Sequence, residues 1–294
     1  MNGIIVINKE KGYTSFDVVK IVRGILGEKH LGHTGTLDPN ATGVLPICIG
    51  QCTRLIEYMD TAPKRYISTA RLGMETDTQD IWGVVTAQTP YTGVTKEELL
   101  ETISHYIGDI TQQPSIYSAV RVNGRHLYSY AHSGEKVEIP VRNVKVYNIL
   151  LNEFDESSGE FKIEVSCGRG TYIRTICNDI GRDLGFGAVL TSLERVSACG
   201  YGIEDAITLE ELKSYDNKEI GSLIRPIESA VSFMNRIDID EQQKIDFANG
   251  KHLKAQQNDM SFDDPVCVFH DGMLCGIGVW DNPDRIKPVK VFSR

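Results

Sequence analysis

The apolar run Ile4-Ile5-Val6-Ile7 ends at Asn8 and Lys9, a pattern that predicts a short buried strand at the start of the chain. Phe16, Val19, Val22, Ile25 and Leu26 then recur at helical spacing behind Thr14 or Ser15, either of which can cap the helix. From Gly27 to Gly43 the periodicity stops. Glycines at 27, 32, 35 and 43 and a proline at 39 mark a long loop, and loops of that length in compact domains tend to carry function.

Alternation resumes over residues 64–73 and again over 83–88, both read as strands. Thr95-Lys96-Glu97-Glu98 is a capping box that opens a helix reaching about Ile107. Residues 116–122 are β-like and lead into Asn123-Gly124, a turn pair. Strands near 141–150 and 161–167 precede a helix beginning near Thr171, with Ile173, Ile176, Cys177, Ile180 and Leu184 on one face. After Arg225-Pro226 a helical stretch is expected. Past about Ile237 the chain breaks into β-like pieces, 265–269, 274–279 and 289–292, with His270-Asp271-Gly272 as a turn. The pattern predicts an α+β protein: a mixed, largely antiparallel sheet flanked by helices over residues 1–232, then a small β-rich domain over 233–294. No repeat, low-complexity tract or linker interrupts it.

No apolar run approaches the roughly 20 residues that span a bilayer, and no basic-then-apolar leader opens the chain. A soluble, cytoplasmic protein is therefore expected. Seven cysteines, with no Cys-x-x-Cys pair, fit reduced and mostly buried thiols. Cys48 and Cys52, with His30 and His33 upstream, match no common metal template, so no metal is assigned. The net charge of −9 runs against phosphate binding, but it is uneven. Residues 1–200 carry 20 basic and 23 acidic side chains, whereas 201–294 carry 11 and 17.

Within the long loop, Asp38 precedes Pro39, which biases Asp38 toward extended backbone, and flanking glycines permit close approach of a ligand. Taken alone, Asp38-Pro39 reads first as a turn in which the aspartate bonds its own backbone. The whole run His33-Thr34-Gly35-Thr36-Leu37-Asp38-Pro39-Asn40-Ala41-Thr42-Gly43-Val44-Leu45-Pro46, however, closely resembles the signature loop of the TruB family of pseudouridine synthases, which act on the TΨC arm of tRNA. Further runs resemble that family: Lys64-Arg65-Tyr66, the stretch from Leu72 to Gly83, Gln113 to Gly124, and Cys167 to Arg174. Ser115, Arg121 and Glu194 depart from its usual residues. The likeness covers residues 2–225, and a weaker one extends to a C-terminal PUA-like β-barrel.

The resemblance implies a cofactor-free isomerase that converts uridine 55 of the TΨC loop to pseudouridine without an obligatory protein partner, and a monomer is the default expectation. Asp38 would be the nucleophile, attacking either ribose C1′ or base C6. The target base would be flipped out of its stack. Tyr66 would stack on it, Leu193 would wall the pocket and Arg174 would pair with Asp38. An arginine in the first turn of a helix is opposed by the helix dipole and needs such an anion. His33 would engage the tRNA loop and help fill the place of the extruded base, and Lys9 would contact backbone phosphate or pack near the pocket. Rival readings are a hydrolase that pairs Asp38 with Asp77 or Asp80, a silent RNA-binding or RNA-folding protein, and a guide-RNA-dependent synthase that needs partner proteins.

Overall fold

The computed structural model describes residues 1–255 and 264–292. In chain order its strands are β1 (Gly3–Lys9), β2 (Leu31–His33), β3 (Thr42–Ile49), β4 (Lys64–Leu72), β5 (Met74–Thr76), β6 (Val85–Gln88), β7 (Gly108–Gln112), β8 (Arg121–Val122), β9 (Arg125–His126), β10 (Arg142–Asp155), β11 (Glu160–Cys167), β12 (Ala188–Ala198) and β13 (Tyr201–Gly202). The C-terminal strands are β14 (Arg236–Asp238), β15 (Leu253–Lys254), β16 (Pro265–His270), β17 (Met273–Asn282) and β18 (Arg285–Val291). The main sheet runs β1-β3-β12-β4-β11-β10-β7, with β2 on β3 and β13 on β12. All its pairings are antiparallel except β12 on β3.

Register places the site. Lys9 lies opposite Gly43, Gly43 opposite Arg195, Arg195 opposite Tyr66 and Tyr66 opposite Val165. Because directly opposed residues share a face, this row crosses five strands on one side of the sheet. Gly43 has φ +102, and a Cβ there would meet the Arg195 carbonyl oxygen at 2.3 Å, so only glycine allows β3 and β12 to meet.

One face of the sheet packs Ile5, Ile7, Ile47, Ile163 and Val165 against the helices Ser15–Leu26 and Ile173–Asp183, whose Val18, Val22, Ile176 and Ile180 are buried. On the other face, Ile4, Val6 and Val44 join one apolar cluster with Leu55 of the turn Gly50–Leu55, with Ile227, Ala230 and Val231, and with Phe269, Leu274 and Ile277 of the five-stranded sheet β14-β16-β17-β18-β15. That curled sheet is tied down further by Lys290–Glu57 at 2.9 Å and by Arg54 donating to the Val291 carbonyl at 2.8 Å.

Local expectations hold where capping and turn chemistry are specific. Thr14 caps its helix in a capping box with Asp17, Thr95 does so with Glu98, and Asn123-Gly124 and Asp271-Gly272 take positive φ. Others give way. Phe16, expected on the core side, is exposed, and Ser15 and Val18 are buried instead, because Thr14 as cap sets the helix phase. The 27–43 loop is interrupted by β2, a three-residue strand paired with β3. Only Arg121–Val122 of the 116–122 segment is paired, and residues 241–248 form a helix rather than strands.

Candidate active site

The turn carrying Asp38 is pinned on both sides. Ser15 Oγ donates to the Leu37 carbonyl at 3.2 Å and accepts from the Leu37 N–H at 2.9 Å. The Ala41 N–H closes the turn onto the Asp38 carbonyl at 3.0 Å, and the Gly12 N–H reaches the Pro39 carbonyl at 2.9 Å. Lys9 is fully buried beneath, its ammonium donating to the carbonyls of Glu10, Tyr13 and Pro39 at 3.0, 2.7 and 3.1 Å. With three donors committed and no exposure, Lys9 has no reach to a phosphate; it supports the loop beside the pocket. Burial pulls its pKa down to about 8, against the pull of Asp38 and with a smaller push from Arg195.

Asp38 points outward, its side chain 43% exposed, whereas Arg174 is only 5% exposed. The Arg174 fork donates from Nη1 to Asp38 Oδ2 at 3.0 Å and from Nη2 to the Tyr117 carbonyl at 2.8 Å. Arg174 occupies the first turn of Ile173–Asp183, where the dipole opposes a cation and Asp38 supplies the anion. The entry to that helix is held by Gln112, whose amide donates to the Tyr172 carbonyl and accepts its N–H, both at 3.0 Å.

Asp38 and Arg174 open onto a cavity of about 230 Å³ whose walls include Tyr66, Leu193, Tyr172, Asp60, Lys64 and Arg195. Tyr66 is buried, and that burial raises its phenol pKa while neighbouring Arg195 opposes the rise. Arg195 is itself buried, donating to the carbonyls of Val44 at 2.7 Å and Gly35 at 3.2 Å. Lys64 Nζ binds both the Asp60 carbonyl and carboxylate at 2.9 Å. Four of the six residues named from the sequence, Asp38, Tyr66, Arg174 and Leu193, thus line one cavity, with Lys9 under its loop. His33 stands apart on β2, outside the lining, with its Nδ1 buried. Burial lowers its pKa, and Arg195 adds to the lowering.

Asp60, Lys64, Arg195, Tyr172 and Tyr117 were not singled out from the sequence. Arg195 lies two residues beyond Leu193 on β12, a relation visible only once that segment is known to be a strand; Tyr117 contributes a backbone carbonyl, which leaves no side-chain signature. Asp77 and Asp80 build a turn: Asp77 Oδ1 accepts from the Val84 N–H at 2.8 Å, and Asp80 Oδ1 from Thr78 Oγ1 at 2.7 Å and the Trp82 N–H at 3.1 Å. Burial raises the Asp80 pKa, with Thr78 and Arg174 opposing. Cys48 and Cys52 are buried in the apolar layer under the C-terminal sheet. No cluster of three or more His, Cys, Asp or Glu side chains that could hold a metal occurs among the described residues.

The fold is shared with a chain in a crystal structure of a Cbf5–Nop10–Gar1 complex, at TM-score 0.78 and 23% identity over 99% of this chain and 85% of that one. This likeness defines the class of architecture. Sequence narrows it: residues 23–173 match the TruB family pseudouridylate synthase N-terminal domain, and 174–232 match the tRNA pseudouridylate synthase B C-terminal domain. The protein named tRNA pseudouridine synthase B from Lactobacillus delbrueckii subsp. bulgaricus is 44% identical over 86% of this chain and 87% of its own length. Its namesake from Oceanobacillus iheyensis is 37% identical over 100% of this chain and 98% of its own. The chain belongs to the TruB family of pseudouridylate synthases. The border between the two matched segments falls inside the first turn of Ile173–Asp183, and both segments contribute strands to the same sheet.

Proposed function

We propose that this chain isomerises uridine 55 in the TΨC loop of tRNA to pseudouridine, with Asp38 as nucleophile. The observation that carries the reading is the ion pair of exposed Asp38 with buried Arg174 at the mouth of a cavity walled by Tyr66 and Leu193. Extruding a stacked base costs a few kcal/mol, and an aromatic and an aliphatic wall restore stacking and apolar contact. In the reaction the C1′–N1 bond breaks, a C1′–C5 bond forms, C5 loses its proton and N1 gains one. The Asp38 carboxylate bonds transiently to C1′ or to C6, and both routes demand an aimed, ionised oxygen. Arg174 aims it, and Lys9 keeps the loop in place. The reaction needs no cofactor.

Relatives 37–44% identical over 86–100% of the chain, named tRNA pseudouridine synthase B, support an enzyme acting on tRNA over one that depends on guide RNA and partners. Residues 233–294 serve as a PUA-like domain that holds the tRNA, and His33 takes the space left by the extruded base.

The test is tritium release from tRNA transcripts carrying C5-labelled uridine, incubated with the purified chain. One equivalent released per tRNA, mapped to position 55, is expected, and none from Asp38→Asn protein. Full product from Asp38→Asn overturns the assignment.

A further inference from the structure

A second cavity, of about 210 Å³, lies on the other side of the Asp38–Arg174 pair. It shares Asp38, Arg174 and Leu193 with the first and adds Pro39, Asp80 and Trp82. Trp82 is 42% exposed, an unusual placement for the largest apolar side chain, and the nucleophile's chemistry has no use for it. It is nevertheless held in place. The Trp82 N–H donates to Asp80 Oδ1 at 3.1 Å, the Ile81 N–H to the Leu190 carbonyl at 2.9 Å, and the Asp77 N–H to the Val84 carbonyl at 3.0 Å. Next to it, a Cβ on Gly83 would strike Thr78 Oγ1 at 2.2 Å, so the turn closes only with glycine there. Lys11, on the loop that follows β1, sets its ammonium 4.7 Å from the centre of the indole ring.

An exposed aromatic on a stapled turn, beside a cation and continuous with the proposed uridine pocket, has the chemistry of a stacking platform for single-stranded RNA. We infer that Trp82 stacks on the nucleobase next to the reacting uridine, with Lys11 placed for a neighbouring phosphate. The inference rests on the T-loop reading above and deepens it: two successive nucleotides leave the loop's stack, one for each cavity. Every base has a π face, so this contact grips the RNA without reading its sequence.

The chain offers a direct probe, because it has two tryptophans and the other, Trp280, is only 1% exposed inside the C-terminal sheet. Binding of a synthetic T-arm RNA hairpin to Asp38→Asn protein is expected to quench the exposed indole. A series of hairpins, each abasic at one loop position, locates the partner. Removal of one base flanking the target is expected to abolish the quench and weaken binding about tenfold, as single base–aromatic stacks do. In the enzyme with Asp38 intact, Trp82→Ala is expected to raise KM about tenfold, and Trp82→Phe to restore most of it. Binding with no quench, or a quench unchanged by every flanking abasic site, overturns this inference and leaves the T-loop reading intact. A hairpin that neither binds nor is converted overturns the T-loop reading itself, and this inference with it.

Discussion

Replacing Arg174 by lysine separates aiming from stability. The arginine fork serves two acceptors at once, Asp38 Oδ2 at 3.0 Å and the Tyr117 carbonyl at 2.8 Å, and a single shorter ammonium cannot span both. Loss of one charge-assisted hydrogen bond costs about 1.5–3 kcal/mol. Where that cost lands follows from exposure: Asp38 is 43% exposed, so water hydrates the freed carboxylate and the folded state loses little, while the proposed nucleophile loses its aim. At about 1.36 kcal/mol per decade the expected result is a fall in kcat of about 100-fold, KM within about threefold, and an unfolding free energy lower by less than about 1.5 kcal/mol. Single-turnover tritium release and urea titration of the same preparation measure all three. A kcat within threefold of the parent, or a loss that tracks the unfolded fraction, refutes the aiming role.

Gly43→Ala should lower stability by about 3 kcal/mol or more, because a Cβ at φ +102 meets the Arg195 backbone at 2.3 Å; an unchanged urea midpoint would show that β3 and β12 tolerate separation. Asp179→Asn should stabilise at pH 7. Burial, helped by Asp183 and Glu75 and opposed by Arg182, raises the Asp179 pKa to about 6, above its unfolded value near 3.8. Its protonated form therefore favours folding below about pH 4, and that contribution is lost as pH rises through 6. The variant should gain roughly 1–2 kcal/mol at pH 7, discounted for partial exposure, and nothing at pH 4; equal melting shifts at both pH values would contradict this. Binding of the T-arm hairpin should weaken with a log–log salt slope near −3, as about four phosphate contacts require, and a flat response between low and physiological salt would exclude a phosphate groove.

The parts legible in sequence were those with local chemistry. Thr14 and Thr95 announce helix starts through side-chain caps, whereas Asp38 stood out only through the resemblance of the whole run from His33 to Pro46 to a known loop. Central strand β12 was not read as a strand: Leu190-Thr191-Ser192-Leu193-Glu194-Arg195 lacks clean alternation, and register shifts at Leu190/Ser192 and Arg195/Ser197 explain why. Bulges break the period of two on which strand recognition depends. Gln112 and Tyr117 act through contacts 60 and 57 residues away in the chain, pairings that only the folded sheet brings about. The helix 241–248 was hidden for another reason, since its apolar face is reduced to Phe247.

The acidic total and an RNA substrate are reconciled by where the cations go. Four buried cations stand close to Asp38: Lys64, Arg174 and Arg195 line the first cavity with Asp38 and Asp60, Lys9 lies beneath the Asp38 loop, and Asp80 lines the second cavity. Two of the four are held by backbone carbonyls alone, Lys9 by three and Arg195 by two, while Arg174 and Lys64 each divide between one carbonyl and one carboxylate. Carbonyl dipoles solvate a cation without cancelling its charge, so the cavity keeps a positive excess that solvent screens poorly. Near the two cavities, Lys11 stands over Trp82, and Arg169 sits between cavity-lining Gly168 and Gly170. Many of the carboxylates lie elsewhere and are neutralised there, as in Arg182–Glu75, Arg225–Asp205 and Arg285–Asp281. Net charge sums what the fold has separated: an acidic exterior suppresses non-specific association, and a local excess of cations over carboxylates is what the proposed RNA substrate would meet at the site.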